Sequence, residues 1–461
     1  MNWPKEFTDR VKNDLGSTGE DLIHALNEPP PVSIRFNPFK TKKWPENFEG
    51  VKWNSNGIYL PKRPLFTLDP YFHAGAYYVQ EASSMFLEEA IKQTIDLQHP
   101  LKVLDLAAAP GGKTTLLAGM LSSESLLLAN EVIKSRYKIL RQNVAKWGLP
   151  NVYTSNHDAS GLTNLSGFFD VVIIDAPCSG EGMFRKDPQS AKEWSTENVK
   201  LCASRQKKIL ADSMNLLAEE GVLIYSTCTY NAEENDMNAK WLHKSFPLEP
   251  IKLSLPEEWN ITPGEYGYQF YPHKTKGEGF YLAAFKKTVG SNFRFKLPKK
   301  RSDNWVKLSS RAQEPLNRWI KNDKAYSAYS RKDGQLQIVL SAHDRWSTIL
   351  EHAIPRIDLG TPIGKLKQNK LVPAHDWALS IAANKNRIPT YNVDLTGALH
   401  YLKKETLHWD DIPMGWVRID YKGLGLGWIK KLSNRINNYL PNNARIIMDL
   451  PEEIPIPFLD Q

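Results

Sequence analysis

Between residues 101 and 230, short apolar segments alternate with helical segments, and this alternation limits the possible folds more than any other feature. Strands that are apolar throughout are buried on both faces, and strands that alternate with helices form a parallel sheet. The sequence therefore predicts an α/β domain with a parallel sheet covered on both faces, including a long helix over about 198–219. The predicted strands lie in the segments LKVLDL, SLLLANE, VYTSNHD, FFDVVIIDAP and GVLIYSTCTY.

The flanking segments have a different character and predict further units. The N-terminal part mixes short helices with Pro- and Trp-rich loops and contains one predicted strand, SIRFNPFK. FHAGAYYVQEASSMFLEEAI is predicted to run from a loop into a helix, and EYGYQFY and GFYLAAFKK predict an antiparallel hairpin at the sheet edge. We expect an N-terminal α+β region at 1–98, the α/β domain at 99–288, a basic linker with a first C-terminal domain at 289–380, and a β-rich domain at 381–461.

The net charge of +8 comes entirely from the C-terminal third of the chain. Residues 1–290 hold 32 Lys or Arg and 34 Asp or Glu, whereas residues 291–461 hold 27 and 17. A basic region with interleaved aromatic residues is typical of a nucleic-acid surface, because phosphates need cations and bases stack on rings. A folded domain with no nucleic-acid partner has the same composition, so both interpretations stay open.

The composition also excludes several classes of protein. No apolar run approaches the roughly 20 residues that span a membrane, and the N-terminus has no apolar signal segment. Three cysteines are too few for a disulfide framework or a four-cysteine zinc site. We therefore expect a cytoplasmic protein, most simply a monomer, with no membrane anchor and no metal.

The sequence DLAAAPGGKTT follows the first predicted strand of the sheet, and its small residues let the backbone approach a ligand closely. A P-loop would need glycine at position 107, which is alanine, and the dinucleotide pattern G-x-G-x-x-G is absent. The loop therefore favours a nucleoside pocket over a phosphate cradle. This suits S-adenosylmethionine, which carries ribose and adenine but no phosphate. The residues expected to bind it are Ala107, Ala108, Ala109, Pro110, Gly111, Gly112 and Lys113.

Acidic residues follow the later strands of the same sheet and extend this prediction. Glu131, about 20 residues beyond the loop, is placed to accept from both ribose hydroxyls, as acids at that spacing do in nucleotide-binding sheets. Asp158 and Asp175 follow the next two strands, and Asp158 is placed to accept from the adenine amino group. Each acid alone could be an exposed cap, but their register with the loop favours the pocket.

Two of the three cysteines follow predicted core strands. Cys178 lies in DAPCSGEGMFRKD and Cys228 in YSTCTYN, so both belong to the carboxyl edge of the sheet, where such sheets hold their sites. The chemistry suits a thiolate that attacks carbon 6 of a pyrimidine, after which carbon 5 can accept a methyl group. Asp175 and the Pro177 carbonyl are placed to hold the ring amino group and nitrogen 3. These residues alone do not decide which cysteine attacks.

Other interpretations of the cysteines are weaker. Cys202 lies in LCASRQ on a predicted helix face, and we expect it to be a small buried apolar residue. A zinc deaminase is excluded because neither P-C-x-x-C nor H-x-E occurs.

The combination of DLAAAPGGKTT, NE at 130–131, DAPCSGEGMFRK and STCTYNAEEN resembles the RNA cytosine-5 methyltransferase family of the Sun/Nop type. HAGAYYVQEASSM and EGMFRK resemble its RsmF-like branch, which methylates 16S ribosomal RNA. The resemblance covers about residues 25–290 and implies a Rossmann-like, S-adenosylmethionine-dependent methyltransferase domain with a small N-terminal RNA-binding region. It implies that Cys228 is the nucleophile and that Cys178 assists product release.

The C-terminal part resembles the same branch less closely. KGLGLGWIKKL and NYLPNNARI look like parts of a PUA-like RNA-binding domain. The expected partner is therefore RNA, most simply 16S ribosomal RNA, as naked RNA or within the small ribosomal subunit. Two alternatives stay open: a transfer-RNA cytosine-5 methyltransferase and a non-catalytic ribosome-assembly factor.

Four residues are predicted to contact RNA, and one acidic run is given a structural role. Arg35 and Asn37 lie in the RFN run, where a solvent-facing role is equally compatible with the pattern, and Arg185 and Lys186 follow the first cysteine motif. The run EEND at 233–236 is interpreted as the first turn of a helix, where negative charge is favourable.

Overall fold

The computed structural model of the chain describes residues 3–42, 47–290, 293–295, 305–409 and 411–461. In these ranges, no helix is both long enough and apolar enough to cross a membrane. The predicted linker around 289–304 lies largely outside the described residues.

The N-terminal region is a small α+β unit built on a three-stranded antiparallel sheet. Its central strand is β1, which pairs with β2 on one side and β3 on the other. The strand predicted in SIRFNPFK is correct in place but ends at Phe36, and β3 was wrongly predicted as loop, because only its pairing with β1 makes it a strand. The elements are α1 (Lys5–Leu15), α2 (Thr18–Ala25), β1 (Val32–Phe36), β2 (Gly57–Leu60), α3 (Pro70–Ala74), β3 (Tyr77–Val79) and α4 (Leu87–Thr94).

The second unit contains the predicted parallel sheet. Its elements are β4 (Lys102–Asp105), α5 (Gly112–Met120), β5 (Leu126–Asn130), α6 (Lys134–Trp147), β6 (Val152–Ser155), β7 (Phe169–Asp175), α7 (Pro188–Glu193), α8 (Thr196–Ser213), β8 (Leu217–Thr227), α9 (Asp236–Ser245), β9 (Leu248–Pro250), β10 (Thr262–Pro263), β11 (Gly267–Phe270) and β12 (Phe280–Lys287). Strands β6, β5, β4, β7 and β8 lie side by side in that order and are parallel. The chain therefore reverses direction across the sheet between β4 and β7, and such a switch point is where α/β sheets bind ligands.

Most element predictions for this sheet are confirmed. The two aromatic runs form the antiparallel pair β11 and β12, and β12 also pairs with β8. Helix α6 ends at Gly148, whose φ of +80° is the left-handed conformation that commonly terminates helices. The prediction of a helix to 219 is wrong: α8 ends at Ser213, because the chain from Leu217 joins the sheet by pairing with β7.

The third unit contains β13 (Trp305–Lys307), α10 (Ser310–Asn317), β14 (Tyr326–Arg331), β15 (Gln335–Leu340), α11 (Asp344–Ala353), β16 (Ile357–Asp358), β17 (Thr361–Lys367), β18 (Lys370–Pro373) and α12 (His375–Leu379). Strands β13, β14, β15, β17 and β18 form an antiparallel sheet. The short strand β16 instead pairs with β6 at the edge of the central sheet. Val339 and Leu350 belong to the same apolar cluster as Leu128, so this unit shares a core with the parallel sheet.

The fourth unit is the predicted β-rich C-terminal segment. It contains β19 (Thr390–Val393), α13 (Leu395–Lys403), β20 (Gly415–Tyr421), β21 (Leu424–Lys431) and β22 (Ile436–Asn438), and the strands lie side by side in chain order. Its apolar core includes Leu68 and Ala74 of the N-terminal region. The two ends of the chain are therefore packed against each other.

Candidate active site

The carboxyl ends of β7 and β8 bring Cys178 and Cys228 together. These strands are parallel neighbours, with Asp175 paired to Ser226, so the loops that follow them leave the same edge. The two sulfur atoms are 3.0 Å apart, and the Cys228 backbone N–H donates to the Cys178 sulfur at 3.4 Å. Both residues are partly exposed, whereas Cys202 is buried on α8. The sequence predicts both cysteines at one edge of the sheet, and the fold brings their sulfur atoms into contact.

The surroundings of Cys178 favour its protonated form. The hydrogen bond with Cys228 and burial together raise the pKa of the Cys178 thiol well above its usual range. Cys178 is therefore a neutral thiol at neutral pH. A neutral thiol is a weak nucleophile, but it can hold and donate a proton.

A buried carboxylate holds the Cys178 loop in place. Glu234 is fully buried, and its Oε2 accepts hydrogen bonds from the Ser179 backbone N–H at 2.9 Å and from Gln206 Nε2 at 2.8 Å. Gln206 also donates to the Pro177 carbonyl oxygen at 3.0 Å, so one network fixes both sides of the cysteine. Burial raises the pKa of Glu234 to about 7. The interpretation of 233–236 as a first helical turn is wrong for Glu234, because α9 begins only at Asp236.

The loop after β8 approaches the backbone of the neighbouring segments very closely. The Gly182 N–H donates to the Cys228 carbonyl oxygen at 2.9 Å. A Cβ atom at Gly182 would lie 2.8 Å from that oxygen and 2.5 Å from the Gly279 carbonyl oxygen. Only glycine fits this approach, and it fixes the backbone that carries Cys228.

The small-residue loop between β4 and α5 lines a cavity of about 180 Å³. Gly111 has a φ of +111°, a conformation that glycine adopts without strain, and it turns the loop into α5. Tyr78 and Gln80 of the N-terminal region form the opposite wall, which the sequence analysis did not predict. The predicted lining residues present are Ala107, Ala108, Ala109, Pro110, Gly112, Lys113 and Asp175.

An ion pair joins this cavity to the cysteine edge. Lys113 Nζ lies 2.8 Å from Asp175 Oδ2, and Ser226 Oγ donates to Asp175 Oδ1 at 2.8 Å. Burial lowers the pKa of Lys113 and the carboxylate of Asp175 raises it, with a net upward shift, so the lysine is charged. Asp175 at the end of β7 thus touches both parts of the site.

Several buried acceptors beside the cavity have no donor. Asp105 Oδ1 and Glu131 Oε2 are buried and accept no hydrogen bond from any residue that the structure describes. Arg136 Nη1 is the cation near Glu131 Oε2, at 3.6 Å. Burial raises the pKa of Asp105 to about 7. Unpaired buried acceptors are costly unless a ligand supplies donors, so the residues fit a ligand that carries hydroxyl or amino groups.

The surface beyond Glu131 combines exposed apolar and acidic side chains. Val132 and Ile133 follow it as exposed apolar side chains, 58% and 49% accessible, which the sequence analysis missed. An apolar surface beside an acid at this edge suits a purine ring, and the signal was visible in the letters NEVI. Asp158 is exposed, and its Oδ1 accepts from the Gly161 N–H at 2.7 Å and from Ser160 Oγ at 2.8 Å. Its carboxylate caps the short helix at 159–165.

The predicted RNA contacts of Arg35 and Asn37 are wrong. Both lie on or just after the central strand β1 and are buried, with 2% and 0% of their surface accessible. Arg35 donates to Gln80 Oε1 at 2.8 Å and to Thr115 Oγ1 at 2.7 Å, whereas Asn37 donates to the carbonyl oxygens of Gly75 and Trp147. These side chains join the N-terminal sheet to helices α5 and α6.

The predicted phosphate contact of Arg185 is also wrong. Its side chain is 5% exposed, with Nε 3.0 Å from Glu278 Oε2 and Nη2 donating to the Gly277 carbonyl oxygen at 2.8 Å. Lys186 is exposed and makes no ion pair with a described residue, and its contact with RNA stays a prediction.

Comparison with known proteins relates this site to a family. A model described as 16S rRNA methyltransferase RsmB/F matches residues 92–286. The N-terminal domain of 16S rRNA methyltransferase RsmF matches residues 3–82, and the methyltransferase RsmF PUA domain matches residues 389–446. The three matches follow the chain in order and include the cavity, both cysteines and the β-rich C-terminal unit.

Individual relatives of the chain carry names that agree with these family models. The chain is 28% identical to ribosomal RNA small subunit methyltransferase F of Shewanella loihica, over 95% of this chain and 94% of that protein. It is 33% identical to the Escherichia coli protein of the same name, over 62% of this chain and 64% of that protein. The alignment with the latter thus spans just under two-thirds of each chain.

Solved structures share the fold. A methyltransferase homologue from Pyrococcus horikoshii has a TM-score of 0.53 and 27% identity, covering 62% of this chain and 96% of its own. NSun6 from the same organism, solved with SFG, has a TM-score of 0.52 and 22% identity, over 62% of this chain and 98% of its own. With the paired cysteines and the cofactor-side loop in the matched segments, the chain belongs to the RsmB/F family of methyltransferases.

Proposed function

We propose that the chain transfers a methyl group from S-adenosylmethionine to carbon 5 of a cytosine in 16S ribosomal RNA, through a covalent adduct with Cys228. The observation that carries the proposal is the 3.0 Å contact between the sulfurs of Cys178 and Cys228, beside the Lys113–Asp175 pair. Membership of the RsmB/F family supports the reaction, and the relatives named ribosomal RNA small subunit methyltransferase F support the substrate.

The roles of the two thiols are those that the family resemblance implies. The raised pKa of Cys178 keeps its proton in place, which is compatible with attack by Cys228. Its sulfur forms a bond to carbon 6 of a cytosine that has been unstacked and turned into the site, because carbon 6 is inaccessible within a helix. Carbon 5 then becomes nucleophilic and accepts the methyl group.

Release needs two further changes, and Cys178 is placed to assist them. The proton on carbon 5 is lost to solvent, its electron pair re-forms the double bond between carbons 5 and 6, and the bond between carbon 6 and the Cys228 sulfur breaks, which returns a thiolate. The Cys178 thiol lies next to that sulfur and can donate a hydrogen bond to the departing thiolate. Asp175, fixed by Lys113 and Ser226, is placed to accept from the cytosine amino group.

The cavity side supplies the binding site for the cofactor. The backbone of Ala107–Lys113 and the donor-free carboxylate oxygens of Asp105 and Glu131 would hold S-adenosylmethionine. When bound there, it supplies the methyl group. Val132 adds an exposed apolar surface for the adenine ring, and the exposed Asp158, which also caps the helix at 159–165, would accept from its amino group.

Methyl transfer from labelled S-adenosylmethionine tests the proposal. The substrates are naked 16S RNA, small ribosomal subunits and bulk transfer RNA, each free of cytosine-5 methylation, with Cys228→Ala as the control. Signal on 16S RNA or subunits that disappears in the control supports the proposal. Signal only on transfer RNA would support the proposed reaction but show that 16S RNA is not the substrate. No signal on any RNA despite cofactor binding would favour a non-catalytic assembly factor.

A further inference from the structure

A long groove runs along helix α6, on the β6 side of the central sheet. Two surface cavities, of about 430 and 620 Å³, share Lys138 and Arg141 in their lining and therefore adjoin along this helix, which gives a groove with two parts. We call it the α6 groove. Its walls come from α6, from the third unit at Arg331, Lys332 and Arg356, and from the C-terminal segment at Arg445.

The groove carries a surplus of positive charge that the protein does not neutralise. Helix α6 contains five Lys or Arg residues and no acidic residue. Five exposed groove cations have side chains that make no hydrogen bond or ion pair in the described parts of the chain: Lys134, Lys138, Lys332, Arg356 and Arg445. The surplus therefore lies where a ligand can reach it.

The acidic residues of the groove do not cancel this surplus. Asp333 is paired with Arg331 at 2.5 Å, and Asp358 lies 3.2 Å from Arg141 Nε. Asp376 is the third acidic residue of the lining, and eight Lys or Arg residues of the lining outnumber these three carboxylates.

The length and chemistry of the groove favour a polyanion. From Lys134 to Ala145, α6 extends about 16 Å at 1.5 Å per residue, which exceeds a single nucleotide. Exposed lysine and arginine side chains that form no ion pair suit phosphate contacts, which position nucleic acid without reading its sequence. The centre of a protein–protein interface is instead depleted in charged residues.

We propose that the α6 groove binds the phosphate backbone of the RNA substrate at a distance from the target base. The inference rests on the proposed function for the identity of the RNA. Helix α6 begins three residues after Glu131, so the groove starts at the cofactor-side edge and leads to the C-terminal unit. RNA held along it contributes to binding of the substrate, whereas the methyl transfer itself takes place at the cysteine pair.

The test compares two double variants with the same change of charge. Lys138→Gln with Lys332→Gln removes two groove cations, and Lys244→Gln with Lys252→Gln removes two exposed lysines on the other side of the sheet. The probe is a 16S RNA transcript, and its affinity is measured by fluorescence anisotropy over a series of salt concentrations. In parallel, methyl transfer gives kcat and KM for the RNA.

The groove variant is expected to bind RNA about tenfold more weakly at ~0.1 M salt, and its plot of log affinity against log salt should be shallower by about 1.4–1.8, as for two lost phosphate contacts. Its KM should rise while kcat at saturating RNA and the affinity for S-adenosylmethionine stay unchanged. The control variant should match the wild type.

Three results would overturn the inference. Equal losses in both variants would show an effect of net charge alone. Unchanged binding of the transcript with weaker binding to assembled subunits would assign the groove to a protein partner. An unchanged salt slope would show that these lysines touch no phosphate. If the groove variant binds the transcript more weakly than the wild type but the wild type methylates no RNA, the groove is an RNA-binding surface and the proposed function is wrong.

Discussion

Replacement of Arg35 by methionine separates a structural role from an RNA contact. The guanidinium is buried, stacks over Trp147 at 4.6 Å, and donates short hydrogen bonds to Gln80 Oε1 and Thr115 Oγ1. It also donates to the Gly112 carbonyl oxygen at 3.2 Å. Methionine keeps most of the apolar stem but removes every donor, so the change tests the hydrogen bonds and not the volume.

The expected loss follows from the two short bonds. A hydrogen bond from a charged donor contributes about 1.5 kcal/mol or more, so their removal should lower the free energy of unfolding by about 3 kcal/mol. That is a large fraction of the stability of a typical domain. Because Gly112 and Thr115 form the start of α5, next to the cofactor cavity, the affinity for S-adenosylmethionine should also fall.

Urea unfolding, followed by tryptophan fluorescence, gives the stability, and calorimetry gives the cofactor affinity. Lys186→Met is the matched control, because it removes an exposed cation without a partner in the described chain and should leave stability unchanged. RNA affinity of Arg35→Met, measured where the variant is folded, should stay within twofold of the wild type. Unchanged stability together with weaker RNA binding would instead show that Arg35 contacts RNA.

Three further predictions concern the site. Cys178→Ala should accumulate a covalent protein–RNA adduct that survives a denaturing gel, because release is blocked while attack by Cys228 is not; an adduct in Cys228→Ala instead would reverse the two roles. Glu131→Gln should weaken binding of S-adenosylmethionine about tenfold, the equivalent of one charge-assisted hydrogen bond, and unchanged affinity in calorimetry would remove this residue from the cofactor site. Burial raises the pKa of Glu234 to about 7, so the folded protein keeps a proton that the unfolded chain loses near its ordinary pKa of 4.5. Stability from this group is therefore greatest at low pH and falls by roughly 3 kcal/mol as the pH rises to 7. Glu234→Gln should show a smaller fall between urea midpoints at pH 5 and pH 8, and parallel curves for the two proteins would contradict the assignment.

Local sequence was sufficient for much of the parallel sheet. Apolar strands alternate with helices in a way that few other folds allow, and Gly148 marks the end of α6 because glycine adopts the left-handed conformation readily. The local pattern failed where a segment forms a strand only because it pairs with another strand. Strand β3 is three residues long and exists because it pairs with β1, and the end of α8 is set by the pairing of Leu217 with β7.

The same division applies to the site. Local motifs were sufficient to place Cys178, Cys228 and the small-residue loop at the carboxyl edge of one sheet, because parallel strands end together. Local sequence did not show which strand residues are buried. The residues around Arg35 are compatible with a side chain that faces either solvent or the core, and Arg35 is buried because the N-terminal sheet packs against α5.

Long-range contacts decided the remaining features. Glu234 became the support of the Cys178 loop only because α8 brings Gln206 to it, and the α6 groove exists only because all four units of the chain meet there. A sequence records spacing along the chain, and these features depend on distances between residues that are far apart in it. The chemistry of the site was therefore accessible from local motifs, whereas its support and its approach surface were decided by tertiary packing.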